Sequence, residues 1–184
     1  MGKKKRVNPR RIPISESCVD RREVMLTASS ANLFWGSLLV VHAMIEQEAD
    51  APDDIQRFAD IINQINVPDV LQNWQIKEAE KIMGIRDPHP NLERCRIKSQ
   101  AELQSYKRKA RECALHTALA GICLGIAETK RLSAEQLHRI FSNVSLTMAE
   151  MEYGCSSFEQ LDDDIRSYGW ALEETEHDIL LKRI

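Results

Sequence analysis

The sequence predicts an all-α fold, a helical bundle built around two long central helices. Only seven glycines and six prolines occur among the 184 residues, and long stretches of the chain lack both. Apolar residues recur at helical spacing in most windows, whereas the alternation typical of strands is almost absent. Two stretches, Leu33–Ile45 and Ala114–Ala127, are apolar nearly all round. Each must therefore be covered on most sides by other helices.

The first half of the chain is predicted to be a basic tail followed by three helical segments. Residues 1–13 form the tail. A long helix is expected over about residues 16–48, because no proline interrupts that stretch. A medium helix over about residues 51–66 follows it. A short helix over about residues 76–83 then ends at Gly84, the residue type that most often closes a helix.

The second half is predicted to begin with a linker, residues 85–98, in which two prolines prevent helix continuation. Three capping boxes come next, each a serine followed three residues later by Glu or Gln. They place helices over about residues 99–130, from residue 133 to about residue 146, and from residue 157 to just before residue 169. A last helix is expected within residues 170–184.

The two halves resemble each other in the order and length of their helices. Long, medium and short helices occur once in residues 14–84 and again in residues 99–169. Gly84 and Gly169 each end a short helix and lie 85 positions apart. A recurrence at this period predicts an internal duplication. The expected bundle then consists of two similar multi-helix halves related by a pseudo-two-fold axis.

Composition excludes several classes of protein and predicts a cytosolic location. The five cysteines are irregularly spaced and include no CxxC pair, so they read as reduced thiols and not as a disulfide framework. The basic start is followed by Asn, Pro and more Arg, which is unlike a secretory signal. The longest apolar run, Leu33–Ile45, is shorter than the roughly 20 residues that span a bilayer, so no membrane partner is expected.

The residue patterns of common catalytic and metal sites are absent from the sequence, which predicts a non-enzymatic protein. No calcium loop, glycine-rich phosphate loop, HExxH or GxSxG occurs. Cys113 and His116 lie three apart on one predicted helix, with His89 and Cys95 in the preceding linker. Zinc needs three or four converging ligands, and only this one pair has useful spacing. Neither a catalytic residue nor a metal or other cofactor is therefore predicted.

Charge is strongly segregated along the chain, although the formal net charge is only −3. Residues 1–12 hold six bases and no acid, residues 86–111 hold eight bases and three acids, and residues 146–184 hold ten acids and three bases. Such asymmetry is typical of interaction surfaces. The candidate acidic contacts are Glu159, Asp162, Asp163 and Asp164. The candidate basic contacts are Lys3, Lys4, Lys5, Arg6, Arg10, Arg11, Lys107, Arg108, Lys109 and Arg111.

Parts of the sequence resemble small uncharacterised helical proteins of phages and prophages of Gram-positive bacteria. The segments concerned are the opening KKKRVNPRRIPIS and the later run LSAEQLHRIFSNV with MEYGCSSFEQLDDDIRSYGWAL. Here Tyr153–Gly154 and the capped helix from Ser157 match the last elements of that pattern. This chain departs from the pattern by an extra helical copy, about residues 16–90. The resemblance implies a phage-type accessory protein and no enzymatic activity.

Two functions are compatible with these features. The first is protein–protein binding in the cytoplasm of a bacterial host. Its leading form is inhibition of a host defence nuclease complex, which is what anti-CRISPR proteins do. The acidic third would then meet a basic groove on the partner. The alternative is nucleic-acid binding through the basic tail and the basic middle segment. Homo-oligomerisation is left open by the sequence.

Overall fold

Helices account for most of the protein. The computed structural model describes residues 19–29, 32–47, 52–65, 67, 70–174 and 179–184. Within them lie helices α1 (Arg21–Ser29), α2 (Asn32–Gln47), α3 (Pro52–Ile62), α4 (Asn73–Met83), α5 (Gln100–Thr129), α6 (Ala134–Glu152) and α7 (Phe158–Ser167), and a 3₁₀ turn at Leu92–Arg94. Two short strands, β1 (Trp170–Glu174) and β2 (Ile179–Arg183), pair antiparallel. The all-α prediction is confirmed apart from this small sheet.

The three predicted capping boxes mark where helices α5, α6 and α7 begin. The hydroxyls of Ser99, Ser133 and Ser157 each accept a hydrogen bond from the backbone N–H three residues later. At Ser133 the reciprocal bond to the Gln136 side chain is also present. Such bonds satisfy N–H groups that a helix leaves unpaired in its first turn. Gly84 closes α4 with a left-handed φ of 73°, as expected of a glycine after a helix.

Helices α2 and α5 pack against each other at the centre of the bundle. Their buried side chains form one hydrophobic core with residues of α3, α4, α6, α7 and the hairpin. Gly36 lets α2 approach α5 closely, because a Cβ there would lie 3.2 Å from the Ile122 Cδ1. Gly121 instead faces the segment before α4, where a Cβ would lie 2.8 Å from Val67 Cγ1. The two long helices thus pack closely at Gly36.

The first predicted repeat is described only in part. The long helix expected over residues 16–48 is described as α1 and α2, and both pack along α5. The basic tail, residues 1–13, lies outside the described residues. The predicted linker, residues 85–98, is largely irregular, yet Leu92 and Ile97 are buried in a second cluster with Tyr106. The two-fold relation between the halves stays a prediction.

The prediction of a helix within residues 170–184 is wrong, because strands β1 and β2 occupy this segment. Gly169, with a φ of 81°, turns the chain out of α7. Trp170, Ala171 and Leu172 are all buried along β1, and Leu181 is buried on β2. Trp170 and Leu172, two positions apart on a strand, lie on the same face, whereas a helix would direct them to different sides of its axis. The register pairs Leu172 with Leu181.

Asn63, just after α3, fastens the hairpin to the helical core. Its side-chain amide donates to the Leu181 carbonyl at 3.0 Å, and its side-chain oxygen accepts from the Leu181 N–H at 2.7 Å. One side chain therefore satisfies both backbone groups of a residue on β2. Strand β1 packs against α7, so the hairpin joins an early helix to a late one.

Two helical stretches, Arg21–Gln47 and Gln100–Thr129, are long and apolar enough to cross a membrane by length and composition. About half of the most apolar window of each, 50% and 56%, is buried inside the protein. The core helix of a soluble protein passes the same test. This finding is weak support for a membrane span.

Candidate functional site: an acidic helix and a divided basic surface

Helix α7 carries all four predicted acidic contacts and is held firmly by its apolar side. Leu161 and Ile165 are buried in the core. At its first residue the Phe158 ring stacks on Trp35 of α2, with ring centroids 4.6 Å apart. Since one side of α7 is fixed in this way, the polar side faces solvent with a defined orientation.

The four carboxylates differ in how they are engaged. Asp162 accepts a hydrogen bond from Arg166 Nε at 2.8 Å, and this contact raises the pKa of the arginine. Asp164 Oδ2 lies 3.4 Å from Nε2 of the buried His42. Glu159 and Asp163 are exposed and make no ion pair within the described part of the chain. These two are the carboxylates most available to a partner.

Exposed tyrosines precede and follow α7 in the sequence. Tyr153 ends α6 and is 84% exposed, and Tyr168 follows the last residue of α7 and is 45% exposed. Tyrosine is enriched at protein interfaces because it combines a large apolar ring with a hydroxyl. Sequence reasoning noted the Tyr153–Gly154 turn only as part of a pattern and missed Tyr168. Both tyrosines lie at or after the end of a predicted helix, and this position was the feature of the sequence that could have indicated their exposure.

The predicted basic residues of α5 do not all share one surface. Lys107 and Arg111 line a groove against α1, whose lining also includes Asp20 and Glu23. The groove continues past Arg111 toward Trp35 and Phe158.

The other two bases lie apart. Arg108 Nε lies 3.6 Å from the Glu112 carboxylate one turn later. Lys109 lines a separate small pocket. The six basic candidates of the tail, Lys3 to Arg11, lie outside the described residues.

Arg21 is a structural arginine that sequence reasoning missed. Its guanidinium donates to the Glu93 carbonyl at 2.6 Å and to the Cys95 carbonyl at 2.7 Å. The same group lies over the Tyr106 ring, 5.5 Å from the ring centroid. It thereby joins α1, the 3₁₀ turn and α5. The contacts span more than 70 residues of sequence, so no local pattern could have indicated them.

The Cys113 region holds several polar side chains but is unsuited to thiolate chemistry. The thiol donates to Asp87 Oδ1 at 3.4 Å, and His89 is hydrogen-bonded to Glu112 beside it. Burial, followed by the neighbouring Asp87 carboxylate, raises the pKa of Cys113 to about 12. A nucleophilic cysteine needs the opposite, an electropositive setting. Among the described residues no three His, Cys, Asp or Glu side chains are placed to hold a metal ion.

Cys113 is therefore expected to react slowly with thiol reagents in the folded protein. At pH 8 its thiolate fraction is very small because the pKa lies near 12. Cys155 is exposed and serves as the internal comparison. Timed labelling with N-ethylmaleimide and mass spectrometry should show Cys155 modified first and Cys113 only after unfolding in urea. Labelling of Cys113 as fast as Cys155 in the native state would contradict this assignment.

Comparison with protein-family models, curated proteins and solved structures found no match for this chain.

Proposed function

We propose that this protein acts by binding another protein through α7, and that it catalyses no reaction. The observation that carries the proposal is the fixed helix α7, with two exposed carboxylates that make no ion pair among the described residues and an exposed tyrosine before and after it in the sequence. The buried Leu161 and Ile165 hold the helix in place. Binding a partner therefore costs little conformational entropy, because the helix is already ordered. Exposed carboxylates suit a basic groove lined by arginine on the partner, and exposed tyrosines are common at interfaces.

The cellular role proposed with it is that of a phage or prophage accessory protein in the cytoplasm of a bacterial host. Its support is the resemblance of the opening segment and of the run around α6 and α7 to small phage proteins. The partner class is a host protein or protein complex, with a defence nuclease complex as the leading candidate. Nucleases carry basic grooves for nucleic acid, and an acidic helix can occupy such a groove in its place.

The test is affinity capture from bacterial lysate with a pair of charge-matched variants. Glu159→Gln/Asp163→Asn removes the two carboxylates of α7 that make no ion pair in the described part of the chain. Glu128→Gln/Glu135→Gln removes two exposed carboxylates elsewhere and is the control. We expect a bacterial protein that the wild type and the control retain and that the α7 variant loses about tenfold or more. Capture that is equal with all three proteins, or no capture at all, would reject the α7 surface.

We further propose that the chain consists of two similar halves related by duplication. The support is the order of elements. Helices α5, α6 and α7, of 30, 19 and 10 residues, precede Gly169, and helices α2, α3 and α4, of 16, 11 and 11 residues, precede Gly84. Both glycines have left-handed φ angles, 73° and 81°.

Nucleic-acid binding is the second candidate. It is favoured by the exposed basic side chains around the 3₁₀ turn. Arg94, Arg96 and Lys98 are exposed and make no ion pair in the part of the chain that the structure describes. Together with the basic tail they would contact phosphates. Affinity for a generic duplex is then expected to fall steeply between about 50 and 200 mM salt and on deletion of residues 1–12. Salt-insensitive binding or none, measured by fluorescence anisotropy, would remove this candidate.

A further inference from the structure

A small pocket lies between the segment after the 3₁₀ turn and the first half of α5. We call it the Tyr106 pocket. Its volume of about 170 Å³ exceeds that of several water molecules, which take about 30 Å³ each. It is lined by Cys95, Arg96, Glu102, Ser105, Tyr106 and Lys109.

Tyr106 contributes a hydroxyl to this pocket. The residue is only 4% exposed, and its hydroxyl makes no hydrogen bond within the described part of the chain. The hydroxyl is not among the fully buried unpartnered atoms of the described residues, so it reaches solvent and is available to a ligand. Burial raises the pKa of Tyr106, although Arg21 opposes this. The hydroxyl therefore keeps its proton and can donate a hydrogen bond to an anion.

Two cations and a second hydroxyl complete the donor set. Arg96 and Lys109 come from different segments, and neither makes an ion pair with any described residue. Ser105 likewise makes no side-chain hydrogen bond there. The acid in the lining, Glu102, accepts a hydrogen bond from the Lys98 N–H at 2.6 Å, and the Glu93 carboxylate lies close enough to act on Tyr106. The pocket thus offers more donors than acceptors.

We propose that the Tyr106 pocket binds the phosphate group of a nucleotide or of a nucleic-acid strand. The planar guanidinium of Arg96 can donate two hydrogen bonds to phosphate oxygens, and Lys109 contributes a second positive charge. The Tyr106 and Ser105 hydroxyls would donate to the remaining oxygens. The pocket residues belong to elements other than α7, so this inference stands independently of the acidic-helix proposal.

Isothermal titration of the full chain with three probes tests the proposal. The probes are inorganic phosphate, adenosine monophosphate and a 12-residue single-stranded oligonucleotide. We expect one site per chain, and each of Arg96→Gln and Lys109→Gln should weaken binding about tenfold. Tyr106→Phe, which keeps the ring beneath Arg21, should weaken it about threefold. Tighter binding of the strand than of the nucleotide would identify nucleic acid as the source of the phosphate, and the reverse would identify a nucleotide.

Matched controls distinguish binding in the Tyr106 pocket from nonspecific attraction of phosphate to basic side chains. Lys107→Gln removes a lysine two positions from Lys109 that faces the other groove. Arg139→Gln, at an exposed arginine of α6, and Tyr153→Phe are the controls for Arg96 and Tyr106. These three should change affinity less than twofold. The proposal is overturned if none of the probes binds at about 10 mM, or if Lys107→Gln weakens binding as much as Lys109→Gln does. Circular dichroism verifies that every variant is folded.

Discussion

Replacing Ile122 with alanine is expected to lower the free energy of unfolding by about 2–5 kcal/mol. Ile122 is fully buried where α5 meets α2, and its Cδ1 fills the space that Gly36 leaves open. Truncation removes three carbon atoms from the core and leaves a cavity between two helices that cannot move together without disturbing their other contacts. Urea unfolding followed by circular dichroism measures the change.

Leu146→Ala on α6 is the control for that substitution. It also truncates a large aliphatic side chain within a helix, but Leu146 is 64% exposed. Its effect should stay within about 0.5 kcal/mol, because little apolar surface is lost from the core. Similar losses in both variants would mean that α2 and α5 do not form the packed centre of the protein.

Asn63→Ala is expected to lower the free energy of unfolding by about 2 kcal/mol and to loosen the hairpin. The substitution removes two hydrogen bonds at once and leaves the N–H and C=O of Leu181 without their partner. Hydrogen exchange should therefore quicken at the Leu181 amide more than at amides of α5. Thermal unfolding and amide exchange by NMR are the measurements.

Two further variants sharpen the Asn63 prediction. Asn63→Asp keeps the acceptor for the Leu181 N–H but places a carboxylate against the Leu181 carbonyl, so it should be no more stable than Asn63→Ala. Asn73→Ala removes an exposed amide at the first residue of α4 and should be near neutral. A neutral Asn63→Ala would show that the hairpin is held by its apolar side chains alone.

Sequence reasoning located the helices whose starts depend on local chemistry. A serine hydroxyl at Ser99, Ser133 or Ser157 needs only the next turn of its own chain to make a cap, so the pattern is readable without tertiary structure. Docking of the hairpin on the helices depends instead on contacts far along the chain, such as that of Leu181 with Asn63. The segment 170–184 mixes apolar and charged residues in a way that also suits a helix, and only burial of Trp170, Leu172 and Leu181 on one face decides between the two.

The contacts of the charged candidate residues likewise divide into local ones, which the sequence indicates, and long-range ones, which it does not. The pairing of Asp162 with Arg166 joins residues four apart on one helix and could have been predicted. The approach of Asp164 to His42 joins residues 122 positions apart and could not. Lys107 and Lys109 are near neighbours in sequence, yet they line different cavities because side chains two apart on a helix point in different directions.

The two hydrogen bonds between Asn63 and Leu181 can form only late in the synthesis of the chain. Leu181 lies 118 positions after Asn63, so the ribosome must add that much more chain before α3 gains its last polar contacts. Until then the Asn63 side chain can bond only with water or with residues made earlier. Contacts of such long sequence separation form late because loop closure precedes their gain. Docking of the hairpin on α3 therefore cannot precede synthesis of the last strand.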